Sequence, residues 1–263
     1  MVMIRTILLY IAFLSTMTPA WAAELPKALN AVNRSGEQRM LSQRIIKGYA
    51  QLGMGVQPQQ ARAIVEDSVA RFEANLKWLE AFDATPRSSL GEMRTRWQVL
   101  RNAIKAKPTL ASARQANRRG EAALIAAERM TRLLQNVLNT EASHVVNLAG
   151  RQRMLSQRLT KAYMLISWGD VSPALREELD TTMHEFSLSL DLLSARAGNS
   201  AAINAELEEQ ARQWNWLKTA VATEGAVNYR LIVAEASEAL LLSAERLTRL
   251  YEVAGTGQAR SIP

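Results

Sequence analysis

Hydrophobic positions recur every three to four residues along almost the whole chain. Val65, Val69, Phe72, Leu76 and Leu79 step by 4, 3, 4 and 3, the seam of a helix packed in a bundle. Leu179, Met183, Phe186, Leu190 and Leu193 repeat that seam 114 residues later. Gly and Pro are few and fall between such segments, so they mark the breaks. Gly53-Met54-Gly55, Thr85-Pro86 and Lys107-Pro108 divide the first half into helices over 26–53, 58–82, 89–106 and 110–138. Gly169-Asp170, Gly198-Asn199 and Glu224-Gly225 divide the second into 140–168, 173–196, 200–221 and 225–254. Short loops between amphipathic helices favour antiparallel neighbours, so the pattern predicts an all-α protein of two tandem up-down four-helix bundles.

The halves are copies of one module. Residues 33–50 read NRSGEQRMLSQRIIKGYA and residues 147–164 read NLAGRQRMLSQRLTKAYM, with 11 of 18 positions identical at an offset of 114. After a slip of three residues the match resumes at 117: Trp97, Leu100 and Ile104 fall on Trp214, Leu217 and Val221, and ERMTRLL at 128–134 on ERLTRLY at 245–251. The junction admits two readings. No Gly or Pro lies between Glu121 and Ala149, which would allow one long helix holding the copies apart. Yet Leu138 aligns with Gly255 and Thr140 with Pro26, a favoured first helical residue. That alignment favours a turn at Asn139-Thr140, with the copies side by side as a pseudo-dimer.

The first residues change the picture of where the protein works. Arg5, the apolar run Thr6–Met17 and the Ala-rich stretch Pro19-Ala20-Trp21-Ala22-Ala23 describe a secretory signal peptide. The run is short of the ~20 residues a membrane span needs. Cleavage after Ala22 or Ala23 would leave copy 1 at 24–139 and copy 2 at 140–263, a periplasmic chain without a membrane span. Residues 24–140 hold 19 Lys/Arg and 10 Asp/Glu, a net +9, whereas residues 141–263 hold 12 and 15, a net −3. Opposite charges give the halves a reason to attract. No basic run carries interleaved aromatics, which argues against a nucleic-acid partner. With no Cys, two isolated His (His144, His184), no Gly-rich phosphate loop and no H-E-x-x-H, neither a metal, a cofactor nor a catalytic constellation is indicated.

Within the repeated segment, Gly36, Arg39 and Gln43 occupy one helix face at i, i+3 and i+7, as do Gly150, Arg153 and Gln157. Glycine inside a helix costs about 1 kcal/mol relative to alanine, so its presence in both copies invites a reason. It lets a backbone, an arginine or a ligand approach closely, and arginine offers a planar fork of donors suited to a planar oxyanion. These six residues are the candidate anion-binding set. The bland reading is solvated arginines and close helix packing. Arg44, Lys47, Arg158 and Lys161 fall on other faces and read as surface or bundle-edge charges, and Met40, Leu41, Met154 and Leu155 as core.

The string AGRQRMLSQR at 149–158 resembles the box of PilJ-type domains, the N-terminal sensory domains of type IV pilus chemotaxis transducers. It is also similar to the P-box of nitrate/nitrite sensor histidine kinases. The resemblance implies an extracytoplasmic four-helix bundle that dimerises through the motif helix. It further implies nitrate at that interface, held by the Gly-x-x-Arg arginine of each subunit, here Arg39 and Arg153. Two features depart from the pattern: the domain is doubled, and no second membrane helix or signalling output follows. Glu37 also stands where copy 2 has Arg151. The expected function is a periplasmic sensor of nitrate or nitrite, a monomeric pseudo-dimer or a homodimer. It would act in signal transduction with a membrane sensor kinase of a two-component system or a chemoreceptor. The alternative is a helical adaptor or assembly protein that binds another protein and has no small-molecule ligand.

Overall fold

Eight helices account for nearly all of residues 20–222 and 227–257, the part described by the computed structural model. The apolar run of the expected signal peptide and the break at Glu224-Gly225 lie outside the described residues. The helices are α1 (Ala20–Met54), α2 (Pro58–Ala81), α3 (Arg87–Ala103), α4 (Leu110–Leu138), α5 (Glu141–Ser167), α6 (Pro173–Ser194), α7 (Ala201–Ala222) and α8 (Val227–Gly255). Among the described residues there is no strand, and no helix is long and apolar enough to cross a membrane.

Local chemistry sets the boundaries. Proline opens α2 and α6, where its missing N–H costs nothing. Thr109 and Thr140 cap α4 and α5 through reciprocal capping boxes with Ser112 and Ser143. α1 begins at Ala20, earlier than the periodicity indicates, and carries Pro26 inside it. The junction is a turn: α4 ends on Asn139 in the left-handed region (φ 41°), and Thr140 starts the next helix. Asparagine tolerates that conformation better than most residues, which is why a helix can stop here without glycine.

Each copy closes a ring of four helices, α1–α4 and α5–α8, around its own stacked aromatic pair. Phe72 lies on Trp97 with centroids 4.1 Å apart, and Phe186 on Trp214 at 4.2 Å. Gln38 and Gln152 of the motif donate to the backbone carbonyls of Phe72 and Phe186 at 3.0 and 3.3 Å, tying each motif helix to the second helix of its copy. The most extensive packing in the molecule is between α1 and α5. These motif helices run parallel: Gly36 lies beside Gly150, and Gly53 near their far end lies against Trp168. The copies share one continuous core.

The structure corrects the sequence reading of the neighbouring charges. Lys47 and Lys161 are fully buried and Arg44 is 9% exposed. Lys47 pairs with Glu238 of α8, which also takes Arg44 at 2.7 Å. Lys161 pairs with Glu121 of α4 at 2.5 Å, which also takes Arg158 at 3.1 Å. Glu121 and Glu238 are equivalent at the offset of 117. Each copy therefore sends a basic pair from its motif helix to the last helix of the other. These ion pairs run in both directions between the copies.

Candidate functional site

At the midpoint of the α1/α5 seam the two glycines leave room for the two arginines. A Cβ on Gly36 would stand 2.9 Å from Nη2 of Arg39, and one on Gly150 would stand 3.1 Å from Nη2 of Arg153 and 3.9 Å from Nη2 of Arg39. The guanidinium ends are thus no more than about 7 Å apart. Arg39 is 1% exposed and Arg153 4%.

Each arginine reaches across to the other copy. Arg39 Nη2 donates to Asn147 Oδ1, and Arg153 Nη2 to Asn33 Oδ1, both at 2.7 Å. Asn33 and Asn147 open the repeated segment, so the two contacts form a pseudo-twofold exchange. Behind them the symmetry fails. Asn33 donates in turn to Glu252 at 2.7 Å, whereas Asn147 donates to Gln135, the equivalent residue of copy 1. Arg39 Nη1 donates to Glu128 at 2.6 Å. Among the described residues Arg153 makes no ion pair, and its Nε is buried without a hydrogen bond.

Burial pushes both guanidinium groups below the ordinary arginine value, and each suffers from cations nearby. Glu128 opposes this directly at Arg39, while Glu37 and Glu245 act on Arg153 from farther away. Burial works to raise the Glu128 carboxyl, but Arg39 and Arg132 overcome it and hold it at about 2. Two like charges in one dry seam need compensation, and a single carboxylate in direct contact supplies it for one of them.

The candidate glutamines point elsewhere. Gln157 Nε2 donates to the Ser237 carbonyl of α8 at 3.2 Å, and Gln43 Nε2 to Ser42 at 3.2 Å. Neither is hydrogen-bonded to the arginines. The group brought together is therefore Gly36, Arg39, Gly150 and Arg153, with Asn33, Asn147 and Glu128. The sequence carried a signal for the asparagines, identical at the start of both segments, but Glu128 gave none apart from its place in the repeated ERMTRLL segment.

Glu37 is tied up as well. It pairs with Arg71 and accepts from Asn75 at 2.8 Å. At the same positions of copy 2, Arg151 pairs with Glu185 at 2.9 Å, the same contact with its charges reversed. Outside the seam, Glu128 also borders a surface groove of about 610 Å³ between α4 and α5, lined by Arg129, Arg132, Arg151, Ile125 and Leu133 among others. Among the described residues no group of His, Cys, Asp and Glu is placed to hold a metal ion.

A duplicated four-helix module with a motif seam at its centre is matched by one family model, twice, over residues 23–125 and 134–247. Its description is Type IV pili methyl-accepting chemotaxis transducer N-term. The chain belongs to this PilJ family. No curated protein and no solved structure matches it. Membership makes each half a PilJ domain, a module of chemotaxis-transducer sensory type, and accounts for the helical fold.

Proposed function

We propose that this PilJ protein binds one small oxyanion, nitrate or nitrite, in the seam between α1 and α5. It works outside the cytoplasmic membrane and reports occupancy to a membrane-bound sensor kinase or chemoreceptor. The observation that carries this reading is the pair Arg39 and Arg153, buried side by side with a carboxylate against only one of them. A buried cation with an unused donor and no direct counter-ion is a site for an anion. Copies 24–139 and 140–263 then act as the two halves of a dimer within one chain. Removal of residues 1–23 would place Pro26 in the first turn of α1, where proline is tolerated. The role is binding, with no reaction attached.

Nitrate that binds the native state alone raises the melting temperature with the logarithm of its concentration, by about 2.7 kcal/mol of stability at a hundredfold excess over Kd. A thermal-shift series with nitrate, nitrite, sulfate, phosphate and chloride should show that rise for the wild-type protein. Arg39→Ala and Arg153→Ala should each lose most of it. Arg62→Ala, at an exposed position, should keep it. A nitrate response that survives both seam variants would place the site elsewhere.

A second reading, the protein-binding adaptor, draws on the α4/α5 groove. Ile125 and Leu133 are exposed there at 63% and 37%, flanked by Arg129 and Arg132. Absence of any anion response would favour it.

A further inference from the structure

The repeat makes the unequal treatment of the two arginines interpretable. Glu245 is the counterpart of Glu128 at the offset of 117, and it lies close enough to act on Arg153. It does not pair with Arg153, because its Oε1 accepts from Arg71 at 2.6 Å. Arg71 holds Glu37 at the same time. The counterpart of Arg71 in copy 2 is Glu185, which cannot hold a glutamate and takes Arg151 instead. Glu128 instead reaches Arg39 through Oε2 at 2.6 Å, while its Oε1 accepts from Arg132 at 2.8 Å and lies 3.8 Å from Arg151. The reversal of charge between the copies thus leaves Glu245 held by Arg71, whereas Glu128 reaches the seam.

We infer that Arg71 is a positioning residue that keeps Glu245 and Glu37 off Arg153, so that the seam has one open positive charge and accepts a monovalent oxyanion in preference to a divalent one. The inference rests on the anion reading given above. Arg39 already has its counter-ion in Glu128. A second negative charge on the ligand would face Glu128 on one side. On the other it would face Glu37, Glu245 and Glu252, all of which act on Arg153. In a water-poor seam like charges repel strongly, so sulfate is disfavoured on charge. Arg71 itself touches neither arginine and is a third exposed, with 34% of its side chain accessible.

The test is calorimetric titration of the full protein with sodium nitrate and sodium sulfate at constant ionic strength. Wild type should prefer nitrate by about tenfold or more, a factor equivalent to 1.4 kcal/mol. Arg71→Gln should release both glutamates to Arg153 and weaken nitrate by a similar factor or more. The triple variant Glu37→Gln, Arg71→Gln, Glu245→Gln should bind nitrate again, which a simple folding defect in the single variant would not allow. Glu128→Gln should raise sulfate affinity relative to nitrate. Equal nitrate and sulfate binding by wild type, or nitrate binding unchanged in Arg71→Gln, overturns the inference and leaves the anion site standing. No binding of either anion by wild type and by Glu128→Gln removes the anion reading, and the inference with it.

Discussion

Replacing Glu238 by glutamine should destabilise the fold strongly. Its carboxylate serves Lys47, which is fully buried, and Arg44, 11% of whose side chain is accessible. Arg44 keeps Asp67 at 2.6 Å, but Lys47 would retain only Ser237 at 3.2 Å. Burial works to raise the Glu238 carboxyl, and Lys47 with Arg44 overcomes it, holding the group at about 2 against an ordinary 4.5. At 1.36 kcal/mol per pH unit that shift is worth about 3 kcal/mol. The figure agrees with the roughly 3–5 kcal/mol typical of removing one partner from a buried pair. For a chain of this size a loss of about 3 kcal/mol lowers Tm by roughly 6–12 °C. Because the carboxyl is depressed in the folded state, its contribution is complete above pH 4.5 and fades as pH falls towards 2. Urea unfolding followed by circular dichroism at pH 7 and at pH 3 would measure both effects. The variant should lose about 3 kcal/mol at pH 7 and show a shallower decline with acid than wild type. A loss under 1 kcal/mol at pH 7, or an unchanged acid decline, would falsify the account of the cross-copy ion pairs.

Other substitutions separate packing from binding. Gln210 is fully buried with both amide atoms unpaired, at the position where copy 1 has the buried Met93; Gln210→Met should stabilise by about 1–2 kcal/mol in a denaturant titration. Gly150→Ala gains up to about 1 kcal/mol of helix propensity but crowds Nη2 of Arg153, which is buried and held by Asn33 at 2.7 Å, so a melting curve should show a net stability change under about 1 kcal/mol. The same variant should weaken nitrate binding, and a variant that bound nitrate normally would show that the glycine is not there for the ligand. Gly53→Ala drives a methyl into the ring of Trp168, 2.0 Å from the nearest ring carbon; a melting curve should show a loss of about 1–3 kcal/mol. Thr140→Ala removes the capping box at the junction and should cost about 1 kcal/mol by the same measurement.

What the sequence disclosed and what it withheld follow from the range of the interactions involved. Helices, breaks and the duplication are local or self-referential, so Gly53-Met54-Gly55, Thr85-Pro86, Lys107-Pro108 and the shared QRMLSQR could be read directly. The turn at Asn139 was legible only through the alignment of Leu138 with Gly255, because asparagine in a left-handed cap leaves no glycine to see. Lys47 and Lys161 were misread because their partners, Glu238 and Glu121, sit 191 and 40 residues away on the last helix of the opposite copy. Helical spacing places a residue on a face of its own helix but does not say what covers that face. A signal was nevertheless present in the exchange of Glu37 and Arg71 for Arg151 and Glu185. Two charges reversed together at one offset mark a contact, and that contact steers Glu245 away from the seam. Gln43 and Gln157 shared the arginine face by spacing, yet their amides donate to Ser42 and to the Ser237 carbonyl.

The single chain also changes the arithmetic available at the axis between the motif helices. When two identical subunits meet across a twofold axis, every side chain beside that axis is present twice. Charge there comes in even numbers: two arginines stand alone, or with two glutamates, and no substitution can alter only one. Joining the copies at Asn139-Thr140 lifts that parity rule, because Glu128 and Glu245 are encoded separately and have taken different partners. A seam of near-twofold shape can then hold an odd charge, and a lopsided ligand need bind in only one of two otherwise equivalent orientations. Occupancy would acquire a direction along the seam, so one face of the molecule could carry the signal while the other remained unchanged.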